Sequence, residues 1–438
     1  MVQKRGYPSF FGRIFLKVSF LFLANMPPLL TVKNVCGHGA VLAMDKATRQ
    51  FKTKHYTRIL LALVGWLTFS SYASVQVDIG VLRVPVETST AVPEYLAEPE
   101  NNGEAGVELA VSDANGTGKF LGQNYTFRAE TNDDITALNT TAKAWYDEGV
   151  RYFLVDLDTP FLQVLRKALP DDALLFNIGN QDDALRRSVC LPNILHTALS
   201  YTMRADALGQ WMRARRLNDV FLVSGTTAED NAFLTATKQT LKKFNQKIIE
   251  EKVWNFDTDL RRTASAELPL FTQARDYDLV WVIDESNLFG QHLPYNTWLP
   301  RPVVGTHGLR ADGWHYVIEQ WGSIQLQNRF TKQFDRPMTA KDYAGWVAVR
   351  SINEAVTVLN KGDIETVLPF IMSEKFQLAA YKGRKLTYRP WNGQLRQTVP
   401  LFDSQALVAS APFEGFLHPR NELDSLGIDE AQSQCRQF

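Results

Sequence analysis

Residues 149–181 read GVRYFLVDLDTPFLQVLRKALPDDALLFNIGNQ and decide the fold. The run Tyr152-Phe153-Leu154-Val155 is apolar throughout, which is typical of a strand buried in a parallel sheet. Asp158-Thr159-Pro160 then opens a helix, since a carboxylate or hydroxyl accepts the free N–H groups at a helix start and proline suits its first turn. A second apolar run, Leu174-Leu175-Phe176, follows and ends at Gly179-Asn180-Gln181. The pattern predicts a strand, a helix and a second, parallel strand.

Each of these two strands ends in a polar loop. Because the carboxyl ends of parallel strands meet at one edge of a sheet, we expect the loops at Asp158 and Asn180 to lie side by side. Open α/β sheets bind their ligands at this edge, where helix starts also present free N–H groups. The two loops are therefore predicted to form one wall of a ligand cleft.

Strands and helices alternate over most of the chain. The apolar segments 77–82, 125–129 and 152–155 are separated by helical patterns, and a second series runs from 205 to 305 before a long helix at 342–359. This alternation predicts an α/β protein of two lobes, each with a mostly parallel sheet flanked by helices and with the ligand cleft between them.

Two local features carry specific expectations. A helix over 106–114 is expected to leave through Asn115-Gly116-Thr117-Gly118, because this composition is typical of a turn. Residues 386–401 are expected to form a hairpin that turns at Asn392-Gly393.

The charge of the chain is unevenly distributed. The whole sequence has 47 basic and 47 acidic residues, and the first 73 residues hold ten of the basic residues but only one of the acidic ones. The remainder therefore has 37 basic and 46 acidic residues, a net charge of −9. An acidic body of this kind argues against nucleic-acid binding.

A secretory signal peptide is predicted at residues 44–73. Its basic region, Lys46 to Arg58, precedes the apolar core ILLALVGWLTFS, and Ser71-Tyr72-Ala73 supplies the small residues of a cleavage site near Ala73. This arrangement indicates export to the periplasm, with a permanent N-terminal anchor as the alternative. Since signal peptides begin a chain, we expect Met44 to be the true start and residues 1–43 to be an upstream extension, which N-terminal sequencing of the precursor would test.

Two cysteines, Cys190 and Cys435, lie beyond the cleavage site. An isolated pair in an oxidising compartment is expected to form a disulfide, and two unrelated thiols are the alternative. The bridge would close a very long loop, which the chain-entropy model favours.

An enzymatic alternative rests on Asp156 and Asp158. The segment YFLVDLDT resembles the nucleophile motif of haloacid-dehalogenase-type phosphohydrolases, in which the first aspartate attacks, the second acts as acid or base, and Mg²⁺ assists. Thr159 comes one position too early for that motif, Pro160 follows it, and several elements precede a strand that normally comes first. We therefore expect a protein that is not an enzyme.

The sequence offers no other site for chemistry. The histidines show neither an i, i+4 pair nor a neighbouring cysteine, so no metal site is predicted. Tryptophans in such a chain are more often core residues than ligand platforms. Trp314 is kept as a ligand-binding candidate because it follows the Thr306-His307-Gly308 loop.

Taken together, the motifs resemble the type I periplasmic substrate-binding proteins of ABC transporters, in the branched-chain amino-acid class. The segments that carry the resemblance are VDIGVL (77–82), GVELAVSDANGTGKFLG (106–122), DTP (158–160), NIGNQDDAL (177–185), CLPNILHT (190–197), ADALGQWMRARRLNDVFLV (205–223) and WNGQLRQTVPLF (391–402). A subgroup associated with PQQ-dependent alcohol dehydrogenase systems is similar in DYDLVWVIDESNLFG (276–290), YNTWLPRPVVGTHGL (295–309), EQWGSIQLQNRF (319–330) and LDSLGIDEAQSQC (423–435). The resemblance covers residues 76–436.

This resemblance implies two lobes that close on a small molecule and present it to the permease subunits of an ABC transporter, without a cofactor. The lobes would comprise 75–198 plus 307–395 and 199–306 plus 396–438. The implied ligand contacts are Asp158, Thr159, Asn180, Gln181, Thr197, Thr226, Thr227, Asp284, Glu285, Thr306 and His307. We expect a monomer that acts as a transport receptor, and a ligand sensor without transport is the alternative.

The chain departs from the amino-acid binders at the first wall of the cleft. Those proteins use a serine-rich turn followed by Gly-Ala-Thr, which donates hydrogen bonds to the ligand's α-carboxylate. This chain has Asp158 and then Asn180-Gln181. Because a carboxylate there would repel an anion, we predict that the ligand is not an ordinary branched-chain amino acid. Calorimetry that found tight leucine or valine binding would contradict this prediction.

Overall fold

A computed structural model describes residues 74–86, 92, 96–255 and 260–436. In chain order the strands are β1 (Val75–Arg83), β2 (Gln123–Thr131), β3 (Tyr152–Asp156), β4 (Leu174–Asn177), β5 (Ile194–His196), β6 (Asp219–Ser224), β7 (Lys247–Val253), β8 (Leu279–Ile283), β9 (Val303–Gly305), β10 (Leu309–Ala311), β11 (Leu378–Ala379), β12 (Lys385–Tyr388), β13 (Leu395–Arg396), β14 (Val399–Phe402) and β15 (Leu407–Ala411). The helices are α1 (Glu104–Leu121), α2 (Ile135–Asp147), α3 (Thr159–Ala168), α4 (Ala184–Arg187), α5 (Tyr201–Ala214), α6 (Ala228–Lys243), α7 (Leu260–Phe271), α8 (Ser323–Phe334), α9 (Ala340–Leu359) and α10 (Ile364–Ile371).

The first lobe is built on a five-stranded parallel sheet in the order β2-β1-β3-β4-β5. Its β3–α3–β4 unit is the one predicted from residues 149–181. One face of the sheet packs against α1, α8, α9 and α10, and the other face packs against α2 and α3. Burial of apolar side chains on both faces explains why Tyr152 to Val155 in β3 form an apolar run.

The second lobe is built on a seven-stranded sheet in the order β15-β14-β10-β9-β8-β6-β7. Neighbouring strands among β7, β6, β8, β9 and β10 are parallel. Strands β14 and β15 join antiparallel at the β10 edge. A small antiparallel sheet, β11-β12-β13, completes the first lobe. The predicted α/β class with two sheets and flanking helices is confirmed.

Three segments cross between the lobes: residues 197–200, 312–322 and 397–398. Side chains bond these segments to each other. Gln397 Nε2 donates to Thr197 O over 3.0 Å, and Lys382 Nζ donates to Thr398 O over 3.2 Å and also to Gly313 O. Since β10 belongs to the second sheet, the second crossing begins after Ala311, a few residues beyond the predicted limit at 306.

The predicted exit turn at 115–118 is wrong, because α1 continues through it to Leu121. Asn115 stabilises the helix by bonding outward, with its side chain donating to Tyr125 O and accepting from Tyr125 N, each over 2.8 Å. Gly118 lies so close to Gln123 O that a Cβ would clash with it. Asn115 and Gly118, which suggested a turn, therefore form part of the contact between α1 and β2.

The predicted hairpin is confirmed in part. Strands β12 and β13 are antiparallel, with Tyr388 opposite Leu395 on either side of the Asn392-Gly393 turn. The expected second arm is shorter than residues 386–401 imply, because the chain leaves after Arg396 and enters the second sheet as β14.

The predicted signal peptide at 44–73 and the upstream extension at 1–43 lie outside the described residues and stay predictions. Among the helices that the structure does describe, none combines the length and apolar character needed to cross a lipid bilayer.

Candidate functional site

A cavity of about 190 Å³ lies at the carboxyl edge of the first sheet, where the crossing segments leave the lobe. Its wall includes the loop after β4 (Ile178, Gly179 and Gln181), the crossing residues Thr197 to Leu199 and Asp312-Gly313, and the start of α9 with Asn102. Of the residues predicted to bind ligand, Gln181 and Thr197 line this cavity.

Asn177 organises the loop after β4, and sequence reasoning missed it. The side chain is completely buried. Its Oδ1 accepts from the backbone N–H of Asn180 over 2.9 Å, and its Nδ2 donates to the carbonyl of Asn180 over 2.7 Å and lies 3.0 Å from His196 Nδ1. These bonds fold the loop back on the strand, which brings Gln181 to the cavity. Burial of His196 holds its pKa well below the ordinary value, so the imidazole is neutral.

The side chains of Asn180 and Thr159 form hydrogen bonds that hold the same loop, and neither residue lines the cavity. Asn180 Nδ2 donates to Leu157 O over 2.9 Å, and Asn180 Oδ1 accepts from Asp182 N over 2.8 Å. Thr159 Oγ1 donates to Asp182 Oδ2 over 2.8 Å. The polar groups of both side chains are thus engaged within the first lobe.

Asp158 is the N-cap of α3, and Thr159 is the first residue of that helix. The exposed Asp158 carboxylate accepts from Phe161 N over 2.9 Å, and Asp158 is absent from the cavity wall. Asp158 therefore gives no structural reason to expect that an anionic ligand would be repelled from the cavity. Its neighbour Asp156 forms an ion pair with Lys341 over 2.7 Å, so neither carboxylate stands free for the hydrolase alternative.

Lys341, at the first turn of α9, is the basic residue on the cavity wall. Its Nζ lies 2.5 Å from Glu98 Oε1 and 2.7 Å from Asp156 Oδ2. Burial alone would lower the pKa of Lys341, but the two carboxylates hold it above its ordinary value. Lys341 is therefore a charged group whose charge is already balanced by the protein.

Arg204 on α5 connects the lobes at the rim of the cavity. Its Nη1 donates to Gln181 Oε1 over 2.8 Å and to Glu285 Oε1 over 2.9 Å, and its Nε donates to Ala311 O over 3.2 Å. Burial raises the pKa of Glu285, whereas Arg204 opposes that rise. The start of α5 is tied to the same loop, because Tyr201 N donates to Gln181 O over 3.0 Å.

The residues predicted on the second lobe lie at the carboxyl edge of its own sheet. Thr227 caps α6 through a capping box with Asp230, and Thr226 before it is exposed. Asp284 is buried and accepts from the backbone N–H groups of Leu288, Phe289 and Gly290. These residues shape the second lobe's loops, and none of them lines the cavity.

Thr306 and His307 belong to the same edge. Thr306 Oγ1 accepts from Asp284 N over 3.0 Å and lies 3.0 Å from His307 Nδ1. Burial lowers the pKa of His307 to about 4, with Asp284 opposing the fall, so the ring is neutral at pH 7.

Trp314 is a core residue rather than a ligand platform. Its ring is buried and stacks on Tyr343, with ring centroids 4.8 Å apart, and its Nε1 donates to Gln327 over 3.2 Å. Tyr343 supplies part of the cavity wall, and its hydroxyl donates to Ala380 O over 2.7 Å. Trp314 therefore supports the wall from behind.

The disulfide joins Cys190 to Cys435, across 245 residues of sequence. It fixes the C-terminal tail to the first lobe next to α4, where Gln434 N also donates to Arg187 O over 2.7 Å. Among the residues that the structure describes, no group of three or more His, Cys, Asp or Glu side chains could hold a metal ion.

A family model described as a periplasmic binding protein matches residues 95–265. The chain is also similar to a solved branched-chain amino acid ABC transporter periplasmic ligand-binding protein from Burkholderia xenovorans, with 17% identity and a TM-score of 0.63 over 76% of this chain and 95% of that one. A periplasmic binding protein from Burkholderia mallei gives 15% identity and a TM-score of 0.61 over 83% and 99% of the two chains. The chain has the type I periplasmic-binding-protein fold.

A solute-binding protein of an ABC transporter from R. palustris, solved with benzoate, has the same fold at 14% identity and a TM-score of 0.57, over 77% of this chain and 98% of that one. No curated protein matches the chain. In this periplasmic-binding-protein fold the cavity lies at the strand edge where open α/β sheets bind ligands.

Proposed function

We propose that this protein is an exported, non-enzymatic receptor that closes its two lobes on a small molecule and delivers it to an ABC permease. The observation that carries the proposal is the cavity at the lobe junction, whose rim is bridged from one lobe to the other by Gln181 and Arg204. A bond between the lobes beside the cavity supports the proposal, because a contact of this kind can favour one relative position of the lobes over another.

The finer parts of the proposal rest on the sequence. The predicted signal peptide supports a periplasmic location, and the motifs shared with the quinoprotein-associated subgroup support a link to alcohol oxidation. We further propose that the receptor is a monomer, since its cavity is complete within one chain.

The first test is native mass spectrometry of the purified mature protein, in search of a co-purified small molecule. We expect a compound bound at one per chain that is released on unfolding. Uptake of that compound in cells with and without the gene would then distinguish transport from sensing, because a sensor would bind the compound without affecting uptake. The absence of binding to any co-purified or screened compound would contradict the proposed function.

A further inference from the structure

Asp312 is the one carboxylate on the described wall of the cavity, and it follows directly after β10 where the chain crosses between lobes. It is half-buried. Its Oδ1 accepts from the adjacent Gly313 N over 2.6 Å. Among the described residues, Asp312 forms no ion pair and its Oδ2 has no hydrogen-bond partner.

The basic residues near Asp312 have other contacts, and Lys341 is the one that lies on the described wall. Arg310, on β10, has its Nη2 3.2 Å from His315 Nε2 and faces the ring of Phe402 at 5.1 Å. Arg204 is held by Glu285, Gln181 and the carbonyl of Ala311. Lys341 is held by Asp156 and Glu98. Lys382 lies behind the wall, where it donates to the carbonyls of Gly313 and Thr398 and faces the ring of Tyr343 at 4.8 Å. The one basic residue on the described wall, Lys341, is therefore already balanced by two carboxylates of the protein.

The other polar groups on the wall are mostly used within the protein. Asn102 donates to Glu98 and accepts from Thr339, and the hydroxyl of Tyr343 donates to Ala380 O. Gln181 accepts from Arg204 through its oxygen, which leaves its amide nitrogen without a partner among the described residues. The side-chain groups left for a ligand are thus an anionic acceptor at Asp312 and an amide donor at Gln181, and the start of α9 adds the backbone N–H groups of Ala340 and Lys341.

On these grounds, and resting on the proposed function, we propose that the ligand is a small hydrogen-bond donor without an acidic group, namely a short polyol or an amine, and that Asp312 binds its hydroxyl or ammonium group. A half-buried carboxylate favours such donors, because charge-assisted hydrogen bonds are about twice as strong as neutral ones. The same carboxylate disfavours an anion bound directly against it, because like charges repel each other.

The volume of the cavity points to a small ligand. About 190 Å³ corresponds to roughly six water molecules and lies below the range of about 300 Å³ or more that is usual for drug-sized ligands. Pyrroloquinoline quinone is a fused-ring tricarboxylic acid, and we expect its size and negative charge to disfavour binding in this cavity. The size and charge of the cavity therefore favour a small alcohol-like ligand over the quinone cofactor.

The test is isothermal titration of the mature protein, stripped of ligand, with glycerol, 1,2-propanediol and ethanolamine against leucine, benzoate and pyrroloquinoline quinone. We expect saturable binding within the first group and none within the second. Binding of the diols but not ethanolamine would assign the site to a hydroxyl, and the reverse preference would assign it to an ammonium group. Both outcomes support the proposal.

The variant Asp312→Asn keeps the shape of the side chain and removes its charge. We expect it to weaken the binding of the positive compound by about tenfold or more, because a hydrogen bond to a charged group is lost. Asp171→Asn, at a side chain that is 96% exposed, is the matched control and should leave the affinity unchanged. Titration of the unmodified protein with the six compounds tests the ligand class even if Asp312→Asn does not fold.

Tight binding of an anion, with an affinity that Asp312→Asn leaves unchanged or improves, would overturn the proposed ligand class and leave the receptor function standing. Failure to bind any compound, together with no co-purified molecule, would overturn the receptor function itself and the inference with it. The two failures are therefore distinguishable.

Discussion

Arg204 Nη1 lies 2.8 Å from Gln181 Oε1, which joins the start of α5 in the second lobe to the loop after β4 in the first. The same nitrogen donates to Glu285 over 2.9 Å, so one guanidinium connects the bridge to a carboxylate of its own lobe. Arg204 therefore contacts the first lobe through Gln181 and pairs with Glu285 in its own lobe, so both contacts depend on the position of one side chain.

Gln181→Ala removes the side-chain bond to Arg204 and keeps both the backbone bond from Tyr201 N to Gln181 O and the Arg204–Glu285 ion pair. We expect a larger radius of gyration in solution for the ligand-free variant than for the unmodified protein, because open forms are favoured when a bond of the closed form is lost. Small-angle X-ray scattering measures this. Gln333→Ala removes an exposed glutamine that bonds only to Glu108 within the first lobe and should leave the radius unchanged. Equal radii for the two variants would contradict the role of the bridge.

Arg204→Met leaves Glu285 largely buried without its cation. We expect the free energy of unfolding to fall by about 3 to 5 kcal/mol, the usual cost of breaking a buried ion pair from one side. Urea unfolding measures it. The double variant Arg204→Met/Glu285→Leu removes both charges and should recover most of the loss. A single variant within about 1 kcal/mol of the unmodified protein, or a double variant no better than the single one, would show that the pair is not coupled in this way.

Lys382 gives the stability a defined pH dependence. Burial lowers the pKa of Lys382 to about 7, with Asp312 opposing the fall. Because an unfolded lysine titrates near pH 10.4, the unfolded chain binds one more proton than the folded chain between about pH 7 and pH 10. The free energy of unfolding should therefore rise with pH over this window, by up to about 1.4 kcal/mol per pH unit, and the cost of the buried charge is fully present below it.

Lys382→Met is the test of this dependence. The difference in unfolding free energy between the unmodified protein and the variant, measured with urea at pH 6.5 and pH 9, should shift in favour of the unmodified protein at the higher pH. Lys361→Met, at an exposed lysine, is a matched control that should give the same difference at both pH values. A pH-independent difference for Lys382→Met would mean that its ammonium stays protonated when buried.

The Cys190–Cys435 disulfide should contribute substantially to stability, because it closes a loop of 245 residues. We expect Cys190→Ser/Cys435→Ser to lower the free energy of unfolding by about 2 to 5 kcal/mol. The comparison with unmodified protein under reducing conditions checks that the loss comes from the bridge and not from the serines. The reducing agent should have no effect on the double variant, and an equal effect on both proteins would contradict the prediction.

Strands and helices could be predicted from the sequence where the apolar pattern and the residues at the ends of an element indicate the same structure. Tyr152 to Val155 of β3 are apolar, and Asp158-Thr159-Pro160 marks the start of α3. The β3–α3–β4 unit therefore follows from the apolar run and from the residues that start a helix. The exit turn at 115–118 was wrong because the contact of Asn115 with β2 overrides the turn propensity of that stretch. Tertiary contacts of this kind have no local sequence signature.

The site was harder to predict than the fold for a related reason. Loops at sheet edges follow from topology, and Gln181 and Thr197 do line the cavity. Asp158 and Asn180 have the expected polar character, but their groups are used by a helix start and by a loop. Asp312 could have been suspected from its position directly after β10, yet that strand has only three residues and gives almost no pattern.

The packing of α1 against α9 has a consequence for biosynthesis. Gly106 in α1 is pressed against the carbonyl of Asp342 in α9, closely enough that a Cβ would clash, and Gly103 N donates to Asp342 Oδ1 over 2.8 Å. The lobe that begins with β1 is therefore completed only by residues made more than two hundred positions after α1 begins. A nascent chain emerging in order would remain without a finished first half until almost all of it had been synthesised, and a chain that ends at Phe334 should lack cooperative unfolding by circular dichroism.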